Sequence, residues 1–155
     1  MKLKKVIKDV ILESKDSYNT PAAISAKEKQ KKQKAKPKAE DSIDNLDINT
    51  ANRNLTIEKY SYGPINPDDK KGSHQFWCNK ADLWNTTIEA AKKARCSNCG
   101  AFDQKKSTLN KIAKAIGDEG KTIVKNANIG FCEFFWFKCA GARSCDAWVG
   151  GGPIK

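Results

Sequence analysis

Five of the six cysteines fall between Arg95 and Trp148, a stretch that also holds most of the aromatic side chains. It opens with RCSNCGAF, where Cys96 and Cys99 form a C-x2-C pair, and closes with GFCEFFWFKCAGARSCDAW, which adds Cys132, Cys139 and Cys145. Two cysteines three apart at a tight turn can aim both thiolates at one point, and cysteines returned from a distance can complete a soft four-fold site. A domain built on this stretch is expected to fold around a metal ion or a metal cluster.

Three chemistries compete for these cysteines. Disulfides belong to oxidising compartments, and MKLKKVIKDVILESKDS lacks the continuous apolar stretch and small-residue cleavage site of an export signal. Disulfide pairing and secretion are therefore not expected. Zinc often takes two C-x2-C knuckles, but the second half reads C-x6-C-x5-C and the only histidine, His74, lies far upstream. Zinc stays open as an alternative. An iron–sulfur cluster tolerates the irregular spacing, because its ligands surround a bulky inorganic core and need not come in pairs. A 4Fe–4S cluster also needs an apolar shell, and Phe102, Phe131, Phe134, Phe135, Trp136, Phe137 and Trp148 offer one. An ordinary aromatic core would use the same residues, and in a chain of this size the core and the shell can coincide.

The stretch resembles the cluster-binding part of the high-potential iron–sulfur proteins. CSNCGAF is similar to their C-x2-C followed by an aromatic, and GFC followed by CDAW resembles the spacing of their last two ligands, with the final cysteine three before a tryptophan. The resemblance covers about the last third of the chain. It implies a 4Fe–4S cluster held by Cys96, Cys99, Cys132 and Cys145, with Cys139 either surplus or the fourth ligand in place of Cys145. The chain departs from that family in the long gap from Cys99 to Cys132, in the extra Cys139 and in the missing export signal. The C-terminal pattern, down to RSCDAWVGGGPIK, is also similar to small bacteriophage proteins that carry such a cysteine domain behind a basic leader. That likeness implies a non-enzymatic virion component of capsid, neck or tail, assembled in the host cytoplasm, whose cluster is a structural staple and whose N-terminal arm binds other virion proteins. A small electron-transfer protein and a zinc-dependent basic nucleic-acid binder are the alternatives.

The rest of the chain is organised ahead of this stretch. Formal net charge is +11, and residues 1–38 carry twelve lysines against four acids. Residues 1–20 contain a short amphipathic helix, with Leu3, Val6, Ile7, Val10 and Ile11 on one side. Residues 21–72 read as a basic low-complexity tether and extended arm. Seven lysines from Lys27 to Lys38 suit phosphates or an acidic protein surface, without arginines or aromatics to read bases. Residues 49–72 are rich in turn formers, with Gly63, Pro64 and Pro67, so they are expected to be an extended connector with at most one short strand at Leu55–Tyr60.

The compact part is expected over residues 73–155, a small irregular α+β domain with short helices, stabilised by the metal cluster and preceded by a long extended or disordered arm. SHQFWCNKADLW reads as one helix, TTIEAAKKAR as a second with a capping box at Thr86 and Glu89, and Leu109, Ile112, Ala113 and Ile116 mark a third that Gly117 stops. Cys78 is expected to be a buried small hydrophobe and His74 a surface or capping residue. No segment reaches the eighteen-odd apolar residues of a membrane span. A Gly-rich phosphate loop, a Ser/His/Asp set and HExxH are all missing, so neither catalysis nor a small-molecule substrate is expected.

Overall fold

A computed structural model describes residues 39–155. They form a small α+β unit of short helices around one three-stranded antiparallel sheet. In chain order the helices are α1 (Ala39–Asp44), α2 (Leu46–Tyr60), α3 (His74–Leu83), α4 (Ile88–Lys93), α5 (Lys106–Ile116) and α6 (Gly120–Asn126). The strands are β1 (Phe102–Asp103), β2 (Ile129–Cys132) and β3 (Phe137–Ala140), in spatial order β1-β2-β3. No described helix is long and apolar enough to cross a membrane. The amphipathic helix expected within 1–20 and the lysine-rich tether up to Lys38 lie outside the described residues.

The strand register divides the sheet into two faces. Phe102 pairs with Cys132 and Cys132 with Phe137, which puts these three on one side, and Cys139 follows Phe137 by two residues onto that same side. Phe131 points the other way and joins Ile43, Ile112, Ala113 and Val124 in a core between the sheet and α1, α5 and α6. A further core of Trp77, Ala81, Trp84, Ala91 and Ala94 holds α3 against α4.

Local chemistry sets the helix ends. The apolar spacing of Leu109, Ile112, Ala113 and Ile116 builds α5, and Gly117 ends it at φ +109°, a conformation that disfavours any side chain. Three residues later Gly120 opens α6 pressed against Ala113, where a Cβ would lie 1.9 Å from the Ala113 carbonyl oxygen. That contact lets the two helices close into a tight pair.

Three expectations need correction. Residues 49–60 of the segment expected to be an extended connector, including the strand expected at Leu55–Tyr60, belong to the fifteen-residue helix α2. Its apolar residues form no helical stripe, and much of its attachment is polar: the Asn49 side-chain oxygen accepts from the Lys138 N–H at 2.8 Å, and the Asn52 amide donates to the Trp136 carbonyl at 2.8 Å, while at its end Tyr60 packs on Phe135 with ring centres 4.5 Å apart. The packed unit thus starts well before Ser73, with Ser42 and Ile43 already buried. The cap of α4 is Thr87, whose hydroxyl accepts from the Ala90 N–H, rather than Thr86 with Glu89. Cys78 is only half-buried, its sulfur 3.4 Å from the ring of the exposed His74.

At the start of α2, the Asn45 side chain accepts from the Asp47 and Ile48 N–H groups, both at 3.1 Å. Asn45→Ala is expected to lower stability by about 1 kcal/mol, read from urea denaturation, as for other lost N-caps.

Candidate metal-cluster centre

The C-x2-C pair sits on a 3-10 turn, Cys96–Asn98, closed by the Cys99 N–H donating to the Cys96 carbonyl at 2.9 Å. Asn98 clamps this turn. Its side-chain oxygen accepts from the Arg95 N–H at 3.0 Å and from the Trp148 indole at 3.0 Å, while its amide donates to the Lys93 carbonyl at 2.7 Å. Arg95, stacked 4.9 Å from the Trp77 ring centre, reaches across to the Ala142 carbonyl. The turn and the loop after β3 are also tied through their backbones, Cys96 N–H to Arg143 O at 2.7 Å and Ser97 N–H to Gly141 O at 3.1 Å.

That loop carries Cys145, and the sheet carries Cys132 and Cys139. The C-x2-C turn, the sheet and the loop that follows β3 therefore bring Cys96, Cys99, Cys132, Cys139 and Cys145 to the lining of one small apolar cavity of about 20 Å³. All six cysteines are free thiols, so these five are gathered without pairing into disulfides. The remaining lining is almost wholly aromatic or aliphatic: Ala101, Phe102, Phe134, Phe135, Phe137, Ala147 and Trp148. Of the aromatic shell expected from the sequence, Phe131 and Trp136 fall elsewhere, in or against the core under α5.

Burial governs the electrostatics. It is the largest influence pushing up the thiols of Cys99, Cys132, Cys139 and Cys145, that of Cys132 to about 12, and neighbouring sulfurs add to the rise. Thiolate charge is stable in such surroundings only opposite a cation. Backbone donors are nevertheless aimed at three of the sulfurs: the N–H groups of Ala101 and Val149 at Cys99, of Phe134 and Phe135 at Cys132, and of Ala147 at Cys145. Cys139 differs, being hydrogen-bonded to the Cys96 sulfur.

Two cavity residues escaped the sequence reading, Thr56 and Tyr62, because both were assigned to the extended connector. Tyr62 stands edge-on to Phe137, ring centres 4.9 Å apart, and its oxygen accepts from the Ala140 N–H at 3.1 Å. Burial raises its phenol pKa far above the ordinary value. The spacing of Tyr60 and Tyr62 at a helix end was the available signal.

Among the described residues, no three of His, Cys, Asp and Glu are grouped closely enough to hold a single metal ion. No protein family, curated protein or solved structure matches this chain.

Proposed function

We propose that this chain holds a 4Fe–4S cluster between Cys96, Cys99, Cys132 and Cys145, as a structural staple in a component of a bacteriophage virion. The supporting observation is the gathering of five unpaired thiols from three chain segments around one apolar cavity. The donor set suits the group: sulfur ligands, aromatic walls and backbone N–H groups directed at the sulfurs are what such a cluster requires. The small free volume agrees with a bonded core, since metal–thiolate bonds of about 2.3 Å are much shorter than non-bonded contacts of about 3.5–4.0 Å. When bound, the cluster supplies a covalent cross-link between the C-x2-C turn, the sheet and the loop after β3.

Contacts around the sulfurs support a division of roles within the set. Cys99, Cys132 and Cys145 each accept backbone N–H bonds, which favour a thiolate. Cys139 is hydrogen-bonded to Cys96 and its thiol is pushed up by burial, which supports a role for the surplus cysteine in holding a ligand in place. Asn98 and the Trp148 indole fix the turn that presents Cys96 and Cys99.

The virion assignment draws on the likeness of the C-terminal pattern to small bacteriophage proteins and on the lysine-rich leader ahead of the folded unit. The apolar residues of its first part, Leu3 to Ile11, would bind neighbouring subunits, leaving the Lys27–Lys38 run for acidic or phosphate partners. Electron transfer is the second reading, favoured because Phe134, one of the cavity walls, is 46% exposed and leaves a short path from the site to solvent. A reversible one-electron couple in voltammetry is expected on that reading, and its absence excludes it.

The test is chemical analysis of the full chain purified without air. About four iron and four acid-labile sulfide per chain are expected. A colourless protein with one zinc and no sulfide overturns the cluster. For the virion, the chain should copurify with particles of the phage that carries its gene, and the chain lacking residues 1–38 should be missing from them.

A further inference from the structure

The folded unit carries its positive charge on one face. Between Gln104 and Asn128, the segment of α5 and α6, six lysines stand against two acids, whereas the rest of residues 39–155 holds eleven basic and twelve acidic residues. The lysines are Lys105, Lys106, Lys111, Lys114, Lys121 and Lys125, all exposed. Their placement follows from the fold. Because α5 buries Ile112 and Ala113 and α6 buries Val124, the lysines are left on the solvent side of both helices. The two acids, Asp118 and Glu119, sit in the turn between the helices, at one end of the face.

Between the helices lies a cleft of about 270 Å³, lined by Gln104, Asn110, Lys121 and Lys125 above Leu109, Ala113, Val124 and Ile129. Lys121 and Lys125 with the Asn110 amide line this cleft as donors suited to phosphate and sugar oxygens, while the Gln104 amide donates to the Asn128 side chain at 2.7 Å. Helix α1 packs beside this face, Ile43 against Ile112, Ala113 and Val124, and in the sequence the lysine-rich run ends at Lys38, directly ahead of α1.

We propose that the α5–α6 face is a contact surface for the phosphate backbone of nucleic acid, acting together with the Lys27–Lys38 leader and without sequence preference. Phosphate contact explains the composition. Lysines are compact point charges suited to phosphates, whereas reading base edges favours bidentate arginine or amide pairs, and the face carries no arginine and no aromatic for stacking. A regularly charged rod also matches positive charges spread over two helices better than one acidic peptide does. This surface shares no lining residue with the cysteine cavity.

The experiment measures binding of the full chain to a short random-sequence DNA duplex across a range of salt concentrations. Each phosphate neutralised contributes about −0.9 to the slope of log affinity against log salt. Lys106, Lys114, Lys121 and Lys125 replaced together by Gln should flatten the slope by up to about 3.6, while the same four replaced by Arg should keep it. Circular dichroism and iron content should match the unmodified chain in both variants, separating this surface from the cluster. An unchanged slope in the Gln variant overturns the proposal, because the leader alone would then account for binding. Binding to phosphatidylserine vesicles but not to the duplex overturns the choice of partner.

Discussion

Serine at Cys96, Cys99, Cys132 or Cys145 is expected to abolish iron and sulfide retention and leave the anaerobically purified chain unfolded, whereas Cys139→Ser should keep both. The asymmetry rests on the hydrogen bonds around the sulfurs. Cys99, Cys132 and Cys145 receive backbone N–H groups, while Cys139 is bonded to Cys96. Losing the cross-link should exceed the whole folding margin, since a small domain is stable by only about 5–15 kcal/mol and structural metal binding is itself folding free energy on the order of 10 kcal/mol. Serine at Cys139 can still donate to Cys96, so its cost should be small. Iron analysis and circular dichroism on the five variants decide the matter. Retention by Cys145→Ser together with loss in Cys139→Ser would exchange the roles of these two residues.

The second large effect is expected away from the sulfurs, at Lys80. This side chain is 1% exposed, donates to the Ser61 carbonyl at 3.1 Å, pairs with the Asp146 carboxylate and lies 4.6 Å from the Phe76 ring centre. Lys80→Met leaves the Asp146 charge without its partner. Breaking a buried pair on one side costs about 3–5 kcal/mol, and because Asp146 keeps some contact with water the loss should fall near the lower end, about 3 kcal/mol. Urea denaturation under anaerobic conditions measures it. Lys80→Met combined with Asp146→Leu should recover most of the loss, because an apolar pair carries no stranded charge. Asp146 follows Cys145 directly, so the single variant should also hold iron less tightly. Equal losses in the single and double variants would show that Lys80 acts through packing alone.

What was legible in the sequence and what was not divides along the range of the interactions. Helices α3, α4 and α5 follow from local signals, namely apolar spacing and a terminal glycine or threonine. The convergence of the cysteines was also legible, since C-x2-C at a turn fixes two sulfurs and the apolar strands around Cys132 and Cys139 return the others to it. Helix α2 was hidden because, apart from Tyr60 at its end, its buried residues and long-range hydrogen bonds belong to Asn49, Asn52 and Thr56, polar residues that leave no hydrophobic periodicity. The nearby Gly63 and Pro64 pointed instead to a connector. Lys80 was equally opaque: a lysine inside a helix reads as solvated, and its partner lies sixty-six positions further along the chain. The role of Cys139 depends on which sulfur stands next to it, and spacing alone says nothing of that.

The pairing of the last residues with the middle of the chain bears on when the site can form. The Ile154 N–H donates to the Phe102 carbonyl at 2.8 Å, the Gln104 N–H donates to Ile154 at 2.8 Å, and the Gly100 N–H donates to Val149 at 2.7 Å. The segment that presents Cys99 is therefore finished by residues translated some fifty positions later. A nascent chain cannot complete this site until Ile154 has cleared the ribosome, so on the proposed reading cofactor delivery must wait for the C-x2-C turn and its closing segment together and cannot proceed ligand by ligand during synthesis.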